Sequence, residues 1–309
     1  MQKTQTRHYP VIALFAILAI FVATIITGHS AHAATAPVNL RTASPFAILS
    51  GTPNITDAGN ASVITGNVGL SPATGAGIGL TCSQVTGTIY SVDATGPLPC
   101  RVTNSPLLLT AKNNLTTAYV DAAGRTPLTT VPTELGGTTL VAGVYDSAST
   151  TLGITAGAGP LILDGQGDPS SVFIFQAAFE GTGLDVGPGS TVSLVNGAQA
   201  CNVFWRVDTA EINTTANFVG TILALNSISV ANGATINGRL LARNGNVTLI
   251  NDTIVTSICA GNDTADETPG LPNTGESSDK NTLITIATAT FFATAASLVG
   301  FAVYKKRSI

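Results

Sequence analysis

The chain has 309 residues and a net charge of −4, and only 10% of its residues are charged, against about 25% in typical soluble proteins. That balance offers no cationic surface for phosphates, which argues against nucleic acid as a partner. All three histidines, His8, His29 and His32, fall at the N-terminus. Removing that segment would exclude Ser-His-Asp and Cys-His catalysis and any His-ligated metal site.

Residues 1–33 read as a secretory signal. Lys3 and Arg7 supply a positive start, Val11 to Ile26 is an apolar run, and Ala31-His32-Ala33 is a small-x-small cleavage pattern. The mature chain is expected to begin at Ala34, with one domain over residues 34–260. Its four cysteines, Cys82, Cys100, Cys201 and Cys259, form an even set in an exported chain, so disulfides are expected. Three pairings are open. The layout favours Cys82–Cys100, closing a local loop, and Cys201–Cys259, tying the ends of a repeat region.

Early in the domain, Ile64-Thr65-Gly66-Asn67-Val68 has the look of a strand corner. Ser105-Pro106 then reads as an N-cap followed by Pro at the first helical position, with Gly124 and Pro127 closing the segment. Between them Leu108, Ala111, Leu115, Ala118, Tyr119 and Ala122 recur at helical spacing, which predicts a helix of about five turns. Asp164-Gly165-Gln166-Gly167-Asp168 lacks the further ligands of a calcium loop and reads as a turn. Asp185, Asp208 and Glu211 could supply paired carboxylates for glycoside hydrolysis, but they read better as solvated acids. Arg206, Arg239 and Arg243 are expected in local salt bridges, and Trp205, the single tryptophan, in the core.

An 18-residue repeat dominates the second half. Val203-Phe204-Trp205-Arg206, Thr221-Ile222-Leu223-Ala224 and Arg239-Leu240-Leu241-Ala242 superpose at that step, as do Phe218, Ile236 and Ile254. A third row pairs Ile212 with Val230 and reaches Leu249 one residue late, which suggests a bulge. Short strands at a fixed period with Gly220 and Gly238 at equivalent corners predict a mainly β fold, a three-faced β-solenoid. The first face carries adjacent apolar residues and needs cover on both sides; the predicted helix supplies it. The other faces alternate. Thr191, Asn217, Thr235 and Thr253 would stack into an outward column at about 4.8 Å per step. Ser227, Ser229, Asn246 and Thr248 point outward on the adjoining face. Both surfaces are nearly free of charge.

Residues 261–270 read as a polar linker. Leu271-Pro272-Asn273-Thr274-Gly275 follows, then an apolar stretch at 282–304 long enough to cross a bilayer, then a basic tail at 305–309. This order resembles the LPxTG sorting signal of Gram-positive surface proteins. The resemblance implies cleavage by a sortase between Thr274 and Gly275 and attachment of Thr274 to cell-wall peptidoglycan.

The domain itself resembles the microbial ice-binding (antifreeze) proteins, built as a right-handed β-solenoid with a helix packed alongside. The similarity is densest at Ser44-Pro45-Phe46-Ala47-Ile48-Leu49, at Asp121-Ala122-Ala123-Gly124-Arg125-Thr126-Pro127, and from Val203 to Gly245. It implies adsorption to an ice crystal surface through a flat solenoid face, with a Thr-Ala/Gly-x-Thr/Asn motif at its edge. Thr214-Thr215-Ala216-Asn217 and Asn232-Gly233-Ala234-Thr235 match that motif in part. The expected ice-binding residues are Thr191, Ser193, Thr214, Asn217, Ser229, Asn232, Thr235, Asn237, Thr248 and Thr253. A monomer without cofactor, metal or catalytic residue is expected. The alternative is a surface adhesin that binds glycan or another cell through the same face. An enzyme is the least favoured class, with Lys112 the one lysine between signal and sorting cut.

Overall fold

Alternation of buried and exposed residues, broken by short corners, sets the architecture. A computed structural model describes residues 35–177 and 183–260. The signal, linker, sorting motif, apolar stretch and basic tail lie outside these residues.

The first run of strands is β1 (Phe46–Ser50), β2 (Ile55–Asp57), β3 (Val63–Thr65), β4 (Asn67–Leu70), β5 (Ile78–Gly79), β6 (Val85–Thr86), β7 (Ile89–Ser91) and β8 (Arg101–Thr103). Helix α1 (Ser105–Ala123) follows. The second run is β9 (Leu128–Val131), β10 (Thr139–Val141), β11 (Gly143–Ser147), β12 (Leu152–Ile154), β13 (Leu161–Asp164), β14 (Phe173–Ala177), β15 (Gly183–Val186), β16 (Val192–Val195), β17 (Val203–Val207), β18 (Thr209–Ile212), β19 (Asn217–Ala224), β20 (Ile228–Val230), β21 (Thr235–Ala242), β22 (Val247–Leu249) and β23 (Thr253–Val255).

These strands wind into three parallel faces. Face a runs β8-β7-β4-β1-β21-β19-β17-β14-β11-β9, and face b runs β12-β15-β18-β20-β22-β2-β5. Face c begins as β10-β13-β16. It continues through the Thr191–Asn217 bridge into the first halves of β19 and β21, then β23, β3 and β6. Strands β19 and β21 serve two faces because they bend at Gly220 and Gly238. Gly220 has φ +114°, and a Cβ there would sit 2.8 Å from the Trp205 indole nitrogen. A Cβ on Gly238 would meet the Gly220 carbonyl oxygen at 1.9 Å. No larger residue fits either corner.

The coils are not stacked in chain order. β1 lies beside β21, so the N-terminal coils extend the column beyond the C-terminal ones. Helix α1 carries the chain back from the β8 end toward the β9 end. Its 19 residues span about 28 Å, or roughly six strand spacings. The helix N-cap is Asn104, not Ser105: the Leu107 N–H donates to Asn104 Oδ1 at 3.1 Å. Ser105 and Pro106 form the first helical positions, where Asn completes the cap equally well. Gly124 closes the other end, its N–H donating to Val120 and Asp121 carbonyls.

Two cores result. The interior holds Ile48, Trp205, Ile222 and Leu240 from face a with Phe218, Ile236 and Ile254 from face c. Phe175 and Trp205 stack at 4.0 Å within it. The second core lies between face a and the helix. It joins Phe46, Leu49, Phe204, Leu223 and Leu241 to Leu108, Ala111, Leu115, Ala118 and Ala122. Both sides of this sheet are therefore dry, which accounts for its adjacent apolar residues.

The repeat departs from 18 in two places. Phe204, not Val203, pairs with Thr221, a step of 17. Ser229 pairs with Thr248, a step of 19. Both shifts arise at the corner between faces a and b, which gains one residue per coil: Asp208, then Leu225-Asn226, then Arg243-Asn244-Gly245. The late Leu249 thus reflects a longer corner rather than a bulge inside a strand. A shorter corner at Ile250-Asn251-Asp252 restores the register before Ile254 pairs with Ile236.

Disulfides link Cys82 to Cys100 and Cys201 to Cys259. The arginines do not behave as simple salt-bridge partners. Arg206 and Arg243 both lie over the Tyr119 ring, at 4.6 and 4.8 Å from its centroid. Arg239, 8% exposed, donates to the Ser44 and Ser257 carbonyls at 2.7 and 2.9 Å.

Candidate functional site

Face c presents two outward columns. The first runs Thr191, Asn217, Thr235, Thr253 and Val63 in register. The second, two residues further along each strand, holds Val219, Asn237, Val255, Thr65 and Thr86 in register, with Ser193 two residues on from Thr191. Steps are about 4.8 Å between coils and roughly 6.7 Å between columns. Phe218, Ile236, Ile254 and Ile64 fill the inward positions at 1% exposure or less and hold the array against the core. Val63 and Val255 are 53% and 40% exposed, so the face mixes methyl groups with hydroxyls and amides. From Asn217 to Thr86 the face c segments 217–219, 235–237, 253–255, 63–65 and 85–86 contain no charged residue.

At the corner between faces b and c the backbone repeats one feature. Gly189, Thr215, Gly233, Asn251 and Asn60 all have positive φ, at 69°, 57°, 78°, 55° and 55°. The Gly189, Thr215 and Gly233 N–H groups donate to the Thr214, Asn232 and Ile250 carbonyls of the next coil. Asn251 Nδ2 donates to Asn232 Oδ1 at 2.9 Å. A buried carboxylate locks this edge from below. Asp252, 1% exposed, accepts the Ala234 and Ile250 N–H groups at 2.9 and 2.8 Å. Burial pushes its pKa up to about 6, and the charge on Asp57 adds to that, against the two N–H donors. Burial also acts to raise Asp57, but hydrogen bonds from Ser62, Asn251 and Gln84 outweigh it and leave that carboxyl below its usual range.

The structure divides the expected residues among three places. Thr191, Ser193, Asn217, Thr235, Asn237 and Thr253 share face c. Thr214 and Asn232 sit on the corner. Ser229 and Thr248 lie on face b, where Thr248 donates to Ser229 at 3.2 Å. The middle column of face b continues to Asp185 and Glu211 on neighbouring strands. They line an open hollow of about 300 Å³ with Thr151, Thr209 and Ser227. The hollow on face b is thus lined by carboxylates, where the face c columns from Asn217 to Thr86 are neutral. Sequence reading did not place Val63, Thr65 and Thr86 in these columns. Only the Ile64-Thr65-Gly66 corner signalled the first run's contribution.

The Asp164–Asp168 segment holds itself. Asp164 Oδ1 accepts from the Gln166 N–H and from Asn196 Nδ2, while Asp168 Oδ1 accepts from the Ser170 N–H and hydroxyl. Among the described residues no group of three His, Cys, Asp or Glu side chains is placed to hold a metal ion. No helix among them is long and apolar enough to cross a membrane.

The class the fold defines is a three-faced parallel β-solenoid with a helix alongside, and one face repeats small neutral side chains in register from Asn217 to Thr86. The sequence profile of the ice-binding-like family matches residues 48–255, and the chain belongs to that family. It is 42% identical over 221 residues to the ice-binding protein of Flavobacterium frigoris strain PS1, covering 70% of this chain and 75% of that one. It is 39% identical over 242 residues to the ice-binding protein of a Colwellia species, covering 77% and 91%. Among solved structures, an ice-binding protein from an Antarctic biological consortium matches with TM-score 0.62 and 36% identity, over 73% of this chain and 93% of that one. An antifreeze ice-binding protein from an Arctic yeast matches with TM-score 0.61 and 28% identity, over 78% and 98%. Family membership places the chain among binding proteins, not enzymes.

Proposed function

We propose that this protein adsorbs to ice through face c and its corner with face b. The observation that carries the reading is the pair of in-register columns: neutral, rigidly backed and two residues apart. Ice offers a lattice of weak sites, so one contact gives little affinity. Many contacts held in a fixed array bind together, because each later one is effectively intramolecular. Order established before binding also removes an entropy cost. Threonine suits such a face, since it combines a methyl and a hydroxyl on a side chain whose χ1 is already restricted.

The protein is secreted in this reading, in keeping with its two disulfides. Residues 271–275 direct a sortase to join Thr274 to peptidoglycan, which would hold the solenoid at the outer surface of a Gram-positive cell. The order of motif, apolar stretch and basic tail supports this step. Incubating the protein with a class A sortase and a peptidoglycan stem-peptide mimic tests it. The expected product ends at Thr274 and carries the mimic; a chain left uncut by sortase rejects the anchoring.

Growing a single ice crystal in a solution of the labelled protein tests the binding. Incorporation into the ice supports the reading, and exclusion equal to that of an inert control protein defeats it.

A further inference from the structure

Beyond β23, residues 256–260 run along the corner between faces a and c and cross the coils instead of starting a new one. Thr256 still extends the ladder, its N–H donating to the Thr65 carbonyl at 3.0 Å. The Ser257 carbonyl accepts from Arg239 of β21 at 2.9 Å. Cys259 is bonded to Cys201, in the short helical turn Ala200–Asn202 that leads into β17. Ala260 pairs with the Gln199 amide. Its N–H donates to Gln199 Oε1 at 2.6 Å, and Gln199 Nε2 donates to its carbonyl at 3.5 Å. Gln199 and Asn202 also donate to the Pro169 carbonyl of the neighbouring coil, at 2.8 and 3.2 Å. The segment thus passes from the level of β23 across β21 and β19 to that of β17, three strand spacings or roughly 14 Å.

The sorting motif lies downstream of Ala260, so a pull on Thr274 enters the domain here. A load on a free chain end would peel Thr256 and then the three residues of β23 from their neighbours, one hydrogen-bonded pair at a time. Face c would lose Thr253 and Val255 with them. The disulfide diverts the load before it reaches these residues. Cys201 lies within the chain, so a pull there acts on two flanking segments at once. One of them, β17, sits between β14 and β19 inside face a, with Val203 and Trp205 fully buried. We propose that residues 256–260 form a load-bearing strap, which passes force from the tether into the interior of the sheet and shields β23. This rests on the wall anchoring given above.

Single-molecule pulling on the mature chain tests it, because forced unfolding reads the barrier on the loaded path and not equilibrium stability. One handle is attached at residue 235 on face c, through an azide-bearing residue. The other is fused after Thr274 or, in a second preparation, before Ala34. The wild type is compared with a variant carrying Cys201→Ser and Cys259→Ser. The C-terminal unfolding force is expected to fall by at least half in the variant, while the N-terminal one changes little. A disulfide that merely staples the fold would lower both alike. That result, or an unchanged C-terminal force, overturns the proposal. Dithiothreitol added to mounted, folded wild type opens the same bond without a refolding step and must lower the C-terminal force equally. The Cys82–Cys100 bond lies near the β6 and β8 end of the column, off that load path. Because no sortase is used, failure of the anchoring shows in the sortase assay and failure of the strap shows here.

Discussion

Ile48 lies directly opposite Leu240 in a parallel ladder, although nearly the whole domain separates them in sequence. The contact joins the first run of coils to the last, and the side chains meet inside the solenoid. Without it the N-terminal coils would have no column to extend. Face c would also lose Val63, Thr65 and Thr86.

Arg239, next to Leu240, is the polar clasp of that junction. It ties Ser44, before β1, to Ser257, after β23. Burial pushes its pKa down to about 10, so it stays charged at neutral pH. Arg239→Leu strips both carbonyls of a buried donor and is expected to cost about 2–4 kcal/mol. Urea unfolding measures this, and a loss below about 1 kcal/mol would show that the junction holds without the clasp.

The two disulfides close loops of different length, with sequence separations of 18 and 58. Loop entropy assigns about 3 kcal/mol to the first and about 4 kcal/mol to the second. Replacing both Cys201 and Cys259 by Ser should lower Tm more than replacing Cys82 and Cys100. Calorimetry of the two double variants decides the order, and the reverse order would place the stability elsewhere.

Asp252 gives stability an unusual pH slope. Its folded pKa, about 6, lies above the ordinary 3.8, so the folded state holds a proton that the unfolded chain has released. Its contribution is fully present below pH 3.8 and is lost as pH rises through 6. The Asp57 shift is opposite and matters only below the ordinary carboxylate range. Lys112, pushed down to about 7 by burial and by Arg243, adds stability as pH rises above 7. Comparison with Asp252→Asn isolates the Asp252 part. Between pH 7 and pH 4.5 the wild type is expected to gain a few degrees in Tm relative to that variant. Parallel melting curves would contradict the assignment.

Much of this fold was legible because the inward row Phe218, Ile236 and Ile254 repeats at a fixed step, and one period names one face. The helix was legible for the same reason, from Leu108 to Ala122. The pairing of Ile48 with Leu240 was not, since no local pattern marks which distant strand completes a ladder. The offset of Trp205 from the 18-residue rows was hidden because it arises in a corner, where Asp208 does the work of two residues one coil later. The candidate face was half visible: its threonine column could be read, but its extension through Val63 depended on the out-of-order coils.

Adsorption through face c is tested most directly by a bulky residue in the middle of its first column, set against the same change on face b. Thermal hysteresis is measured for the wild type, Thr235→Tyr and Ser229→Tyr, with circular dichroism to confirm that each variant is folded. A severe loss in Thr235→Tyr and near-normal activity in Ser229→Tyr is the predicted result. Full activity in a folded Thr235→Tyr would contradict it, and loss in Ser229→Tyr alone would move the ice contact to face b.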